Sequence, residues 1–104
     1  MTREETIKKH RELWRWIADE TRKRKRTVFK HENPDIMVER PFNNCWLCAY
    51  ANDCDTCPIK WGENCKDCAD DGSPFVEWSN SGHDWKARAY YADIIAELPE
   101  KGEK

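Results

Sequence analysis

The chain has 104 residues, 37% of them charged, a net charge of −2 and only 15 Leu, Ile, Val and Phe residues in total. That length allows one small domain with a modest core, and no stretch approaches the roughly 18 apolar residues of a membrane span. Near-neutral charge with six Trp and three Tyr argues against disorder, since each ring supplies a large buried area, but a core so short of aliphatic side chains calls for a disulfide or metal staple.

Thr2-Arg-Glu-Glu5 has the form of a capping box, so a helix should start at the N-terminal end. Ile7, His10, Trp14, Ile17 and Thr21 then recur at steps of three and four with Leu13 on the flank, which predicts a buried helical stripe. Trp16 falls off that stripe. It either packs on the cysteine-rich region or is exposed to a partner, and the shortage of aliphatics favours packing. Arg22, Lys23, Arg24, Lys25 and Arg26 cannot share one helical face. They form a solvated helix end that suits the dipole or, with Lys30, a basic patch for phosphate or an acidic protein surface. Asn33-Pro34 reads as a stop, Ile36 to Val38 as a short extended piece, and Pro41, Asn43 and Asn44 as the turn beyond it.

All six cysteines fall between 45 and 68 as three Cys-x-x-Cys pairs: Cys45/Cys48, Cys54/Cys57 and Cys65/Cys68. Two such turns brought together offer Zn²⁺ a tetrahedral set of thiolates. The N-terminus opens into a charged segment with no apolar run of signal-peptide length, so a cytoplasmic location is expected. In a reducing compartment clustered cysteines serve metals more often than disulfides. One zinc is therefore expected, with an iron–sulfur centre, disulfides or a reactive dithiol as alternatives. Six thiols are too many for one site and too few for two. Cys45, Cys48, Cys54 and Cys57 are nearest in sequence but joined by a short loop; Cys45, Cys48, Cys65 and Cys68 have the more usual spacer. A second metal would need His83 or a carboxylate to complete the remaining pair. Among the histidines His10 reads as a core position, His31 as solvated and His83 as part of a helix start. Trp46, Tyr50, Ile59 and Trp61 read as the apolar shell of the metal.

Gly72-Ser73-Pro74 marks an exit turn with Ser73 as N-cap and Pro74 at the first helical position, leading a short helix through Phe75, Val76 and Trp78. Asp84 caps a final helix whose Trp85, Ala89, Ala92, Ile95 and Ala96 face inward, with Tyr91, Ile94 and Leu98 widening the apolar sector. Lys86, Asp93 and Glu97 are left for water, and residues 100–104 for a loose tail. Charge is unevenly divided: residues 1–31 carry eleven Lys/Arg against five Asp/Glu, residues 53–77 two against seven. An acidic cysteine lobe would repel a phosphate backbone.

Catalysis finds little support. Four thiolates leave zinc no open position for water, a deaminase-type site needs Pro-Cys-x-x-Cys whereas Pro58 follows its pair, and no glycine-rich phosphate loop is present. The chain is read as a non-enzyme.

The strings His10-Arg-Glu-Leu-Trp-Arg-Trp-Ile17, Asn44-Cys-Trp-Leu-Cys48, Cys54-Asp-Thr-Cys-Pro58, Gly72-Ser-Pro-Phe75 with Trp78, and Asp84-Trp-Lys-Ala-Arg88 leading to Ala96-Glu-Leu-Pro99 resemble a group of small cysteine-containing proteins of bacteriophages and prophages. The resemblance covers about residues 7–99. It implies that Cys45, Cys48, Cys54 and Cys57 are the recurrent ligands, and it implies a phage setting, in which small cytosolic proteins bind and inhibit or redirect host proteins. The expected fold is mainly α, two or three helices around a zinc-bound, loop-rich lobe. One domain over 1–99 is divided into an N-terminal helix (1–31), a cysteine lobe (42–72) and C-terminal helices (73–99). The expected function is a zinc-stabilised protein-binding module, possible targets being a bacterial defence or regulatory protein, with Arg22 to Arg26, Lys30 and Trp16 at the interface. The alternative is a small nucleic-acid-binding or transcription-associated protein that uses residues 22–30, with Phe29 stacking on a base.

Overall fold

The computed structural model describes residues 2–41, 45–51, 57–62, 68 and 70–100. Its longest element is α1, Arg3–Arg24, a 22-residue helix of about 33 Å. Thr2 caps it as expected, its Oγ1 accepting from the N–H of Glu5 at 3.1 Å. The predicted stripe is buried: Ile7, His10, Leu13, Trp14, Ile17 and Thr21, joined by Thr6 and Ala18. The helix stops inside the basic run, where Lys25 adopts a left-handed conformation (φ 53°) and its N–H closes on the Thr21 carbonyl at 2.9 Å.

A single 3₁₀ turn, Lys30–Glu32, leads into α2, Pro34–Glu39. This corrects the extended reading of residues 36–38. Asn33-Pro34 starts a helix here: Asn33 Oδ1 accepts from the N–H groups of Asp35 (2.9 Å) and Ile36 (3.3 Å), with Pro34 at N1. Ile36 is buried at 1% exposure while Val38 is 82% exposed. An alternating strand would have put both on one face; a helix separates them by about 200°.

Two more corrections concern the cysteine lobe and the helix number. The five residues Trp46–Tyr50 form α3, a helical turn directly after Cys45, and the described residues hold five α-helices instead of two or three. Then come α4, Pro74–Asn80, capped by Ser73 Oγ on the Val76 N–H at 3.3 Å, and α5, Trp85–Ala96, capped by Asp84 on the Ala87 N–H at 3.2 Å. Both caps are the predicted ones. Gly72 (φ 84°) makes the turn into α4 and Gly82 (φ 58°) the turn between α4 and α5, conformations that favour glycine.

The helix α5 lies antiparallel against α1 and also packs on α4, while α3 sits on α1. Ala18, Ala92 and Ala96 are buried at this contact, where small side chains permit close approach. Aromatic rings make up for the missing aliphatics. Trp14 meets Trp78 edge-on at 5.0 Å and Phe75 at 6.0 Å, Phe75 meets Trp61 at 6.3 Å, and Trp61 meets His10 at 5.7 Å. This string of rings joins α1, α4 and the cysteine lobe into one core.

Along the flank of the stripe, Arg3 reaches Glu100 (2.8 Å), Arg11 the Leu98 carbonyl (3.1 Å), Arg15 reaches Glu97 (3.1 Å) and Arg22 reaches Asp93. Asp93 and Glu97, expected to face water alone, are thus paired. Nor does Glu100 begin a loose tail: it bridges Ile59, and Lys60 N–H donates to the Pro99 carbonyl at 2.9 Å. Residues 101–104 lie outside the described residues. No helix among the described residues is long and apolar enough to cross a membrane.

Candidate functional site

The start of α3 places the first cysteine pair. Cys45 is its extended N-cap, the Ala49 N–H bonds the Cys45 carbonyl at 3.0 Å, and Trp46 and Leu47 are buried at 5% and 2% exposure. Those two side chains anchor the turn on the core and leave Cys45 and Cys48 half-buried. The Cys48 thiol donates to Cys45 and holds the Cys45 pKa down, to about 6, against the effect of burial; the Lys30 ammonium and the backbone N–H groups of Cys48 and Leu47 help. Cys48 is pushed up correspondingly, because it keeps the proton beside the Cys45 charge, is partly buried, and feels the charge of Cys68. The pair shares one proton.

Cys68 therefore lies within electrostatic reach of Cys48. It is half-buried against the core, and its carbonyl accepts from Ser73 Oγ at 2.5 Å, the same hydroxyl that caps α4. Cys57 is 8% exposed and belongs to the core, next to Ile59 at 0%. Cys54 and Cys65 lie outside the described residues, as do Asn43 and Asn44. Among the described residues no three His, Cys, Asp or Glu side chains come together as a metal-binding group. Cys45 and Cys48 thus form a close thiol pair, with Cys68 within electrostatic reach and Lys30 favouring thiolate at Cys45.

The histidines are placed much as expected. His31 and His83 are exposed, and His31 stacks on Phe29 with centroids 5.7 Å apart. His10 is 2% exposed, its Nε2 has no hydrogen-bond partner among the described residues, and burial lowers its pKa from 6.5 to about 3 in spite of a bond to the Ile95 backbone. The unfolded chain therefore takes up the His10 proton first as pH falls. Stability from this group is complete above pH 6.5 and is lost between there and about 3, at about 1.4 kcal/mol per pH unit. Between pH 6.5 and 5 the wild type should lose about 2 kcal/mol that a His10→Met variant does not. Urea unfolding at several pH values checks this, and parallel slopes for the two proteins would remove His10 as the cause.

The basic run is largely turned inward on the protein's own carboxylates. Arg22 pairs with Asp93, Arg24 with Glu20 (3.4 Å) and Glu32 (3.8 Å), and Arg26 with Glu32 (2.9 Å). The Arg22 and Arg26 pKa values are raised, first by those hydrogen bonds, and that of Glu32 is lowered, first by Arg26. Lys30 is half-buried with its ammonium 4.7 Å from the Phe75 centroid. Lys23 and Lys25 are exposed.

Trp16 is half-buried and packs on the core, as favoured from sequence. It also lines a cavity of about 170 Å³ with Lys9, Glu12, Leu13, Asn33, Asp35 and Trp46. Sequence reasoning missed that cavity because α1, α2 and α3 meet there from segments with no local relation. It also missed Arg88, buried at 7% exposure on the far side. Arg88 donates to the Gly82 (2.6 Å) and Ser79 (3.3 Å) carbonyls and stacks on Trp78 at 4.8 Å, clamping α4 to α5; desolvation lowers its pKa.

No family model, curated protein or solved structure matches the chain.

Proposed function

We propose that this chain is a zinc-stapled protein-binding module, cytoplasmic and of phage type, which binds a bacterial host protein such as a defence or regulatory factor and inhibits or redirects it. The fate of the basic run carries the choice of protein over nucleic acid. Arg22, Arg24 and Arg26 are already paired with Asp93, Glu20 and Glu32, so a phosphate backbone would have to displace carboxylates to recruit them. Trp16 and its cavity meanwhile offer an aromatic anchor of the kind that dominates protein interfaces. In this reading the chain has no catalytic role.

One zinc would be held by Cys45 and Cys48 together with Cys68 and its pair-mate Cys65. The third pair is preferred to Cys54 and Cys57 because Cys68 lies within electrostatic reach of Cys48. Zinc bound so would supply a structural cross-link between α3 and the entry to α4, with no open coordination position.

The nucleic-acid alternative would use Arg22 to Arg26 and Lys30, with Arg22, Arg24 and Arg26 released from their carboxylates and Phe29, which is 45% exposed, stacking on a base. Column retention on single-stranded DNA at rising salt separates the two readings. The expected result is elution at low salt, unchanged when Arg22, Arg24 and Arg26 are all replaced by Ser. Retention that falls steeply with salt and disappears in the triple variant would establish the alternative.

A further inference from the structure

The cavity beside Trp16 has properties that neither the metal nor the basic run explains. At about 170 Å³ it is smaller than the roughly 300–1,000 Å³ of a drug-sized site, and suits one side chain. Two of its walls are indoles, Trp16 from α1 and Trp46 from α3. Indole faces attract cations, and here one already does so: the Lys9 ammonium stands 4.5 Å from the Trp46 centroid.

Charge around the cavity is unbalanced toward acid. Lys9 is held by Glu39 at 3.7 Å, so its charge is answered outside the lining. Among the described residues Glu12 pairs only with Lys8 at 3.9 Å, and both side chains are more than half exposed, a pair that exchanges readily in water. Asp35 makes no ion pair among the described residues. It lies in the first turn of α2 and its side chain is exposed. Glu12 and Asp35 thus line a space together with two indoles; Lys9 stands over the ring of Trp46, and among the described residues no cation stands over that of Trp16.

From this arrangement we propose that the Trp16 cavity takes an arginine side chain of the partner protein, its guanidinium stacked on Trp16 and bonded to Asp35 and Glu12. Guanidinium fits better than ammonium: it is planar, weakly hydrated, stacks on aromatic rings and offers a fork of donors to carboxylates. The proposal rests on the protein-binding reading and names the chemistry its partner must present.

The probe is the peptide acetyl-Gly-Arg-Gly-amide, titrated into ¹⁵N-labelled full-length protein while the Trp indole N–H resonances are followed. Trp16→Phe assigns the Trp16 signal. A saturable shift of that signal is expected, with a dissociation constant on the order of 1 mM. The neutral citrulline analogue should bind at least about tenfold more weakly, as should the Arg peptide to an Asp35→Asn, Glu12→Gln double variant. Both substituted side chains are exposed, so the melting temperature of that variant should match wild type. Equal binding of citrulline, a shift confined to other indoles, or no saturable shift would each overturn the proposal. None of those results alters the DNA-retention outcome, so failure of the arginine site is distinguishable from failure of the protein-binding reading.

Discussion

Replacing Cys48 by Ser is expected to take the protein from one zinc per chain to none and to lower its melting temperature by tens of degrees. Structural zinc contributes roughly 10–16 kcal/mol in small zinc peptides at neutral pH, against a total stability of about 5–15 kcal/mol for an ordinary domain. Even about 3 kcal/mol lost from a chain of this length moves the melting point by roughly 12–24 °C. Cys48 is the informative position because it belongs to both candidate ligand sets and interacts with both Cys45 and Cys68. Cys68→Ala should behave like Cys48→Ser. Cys57→Ala should keep its zinc and lose only about 1 kcal/mol, the effect of removing one buried atom from the core. Elemental analysis with a free-thiol count reads metal directly, and a strong chelator on the wild type should reproduce the Cys48→Ser melt. Zinc retained in Cys68→Ala but lost in Cys57→Ala would return the site to the Cys54/Cys57 pair. Iron, or thiols consumed as disulfides, would replace the zinc staple altogether.

The caps and the stripe of α1 were legible because they are local: Thr2, Ser73 and Asp84 each satisfy a backbone N–H within three residues, and the buried face of α1 repeats from Thr6 to Thr21. Elements of five or six residues give no such repetition. Over Pro34–Glu39 and Trp46–Tyr50 a helix and an extended run have nearly the same sequence signature, and Asn33-Pro34 serves equally as a stop and as N-cap with N1. The cysteine pairs were visible as pairs, but which two oppose each other depends on the path of the chain between them, which spacing alone leaves open.

Charge was the least legible feature, for a physical reason. Read along the chain, Arg3, Arg11, Arg15 and Arg22 add to a basic half, Asp93 and Glu97 to a solvated face and Glu100 to a loose tail. In the folded chain they meet pairwise, except that Arg11 takes the Leu98 carbonyl, in an order that runs from Glu100 back to Asp93 as it rises along α1. The signal was present as basic residues spaced along α1 and acidic ones spaced through α5 and the segment that follows it, and it has meaning only once the two run antiparallel. Each pair is exposed enough to contribute little by itself. Their collective effect is on register, because sliding α5 by one turn would misalign all of them.

Trp14→Ala should be the most damaging single substitution away from the cysteines. Trp14 is 2% exposed, and its ring is shared by Trp78 at 5.0 Å, Phe75 at 6.0 Å and the Lys30 ammonium at 5.8 Å. Truncating a buried indole costs about 3–5 kcal/mol through lost burial and the cavity left behind, and edge-on ring pairs add about 0.5–1.5 kcal/mol each. With so few aliphatic neighbours to relax into the space, the upper part of that range applies. It is comparable to the whole stability of a small domain, so the variant should lose its near-ultraviolet circular dichroism at room temperature while keeping some helical signal. Trp14→Phe retains a ring for Trp78 and Phe75 and should fold with a lower melting point. Trp16→Ala, two residues on but half-buried at the cavity rim, should cost under about half as much because its ring is not enclosed. Near-ultraviolet spectra and urea midpoints for the three variants check the ordering. If Trp14→Ala melts within a few degrees of wild type, the aromatic string is not the core of this fold, and the stability must then come from the metal lobe.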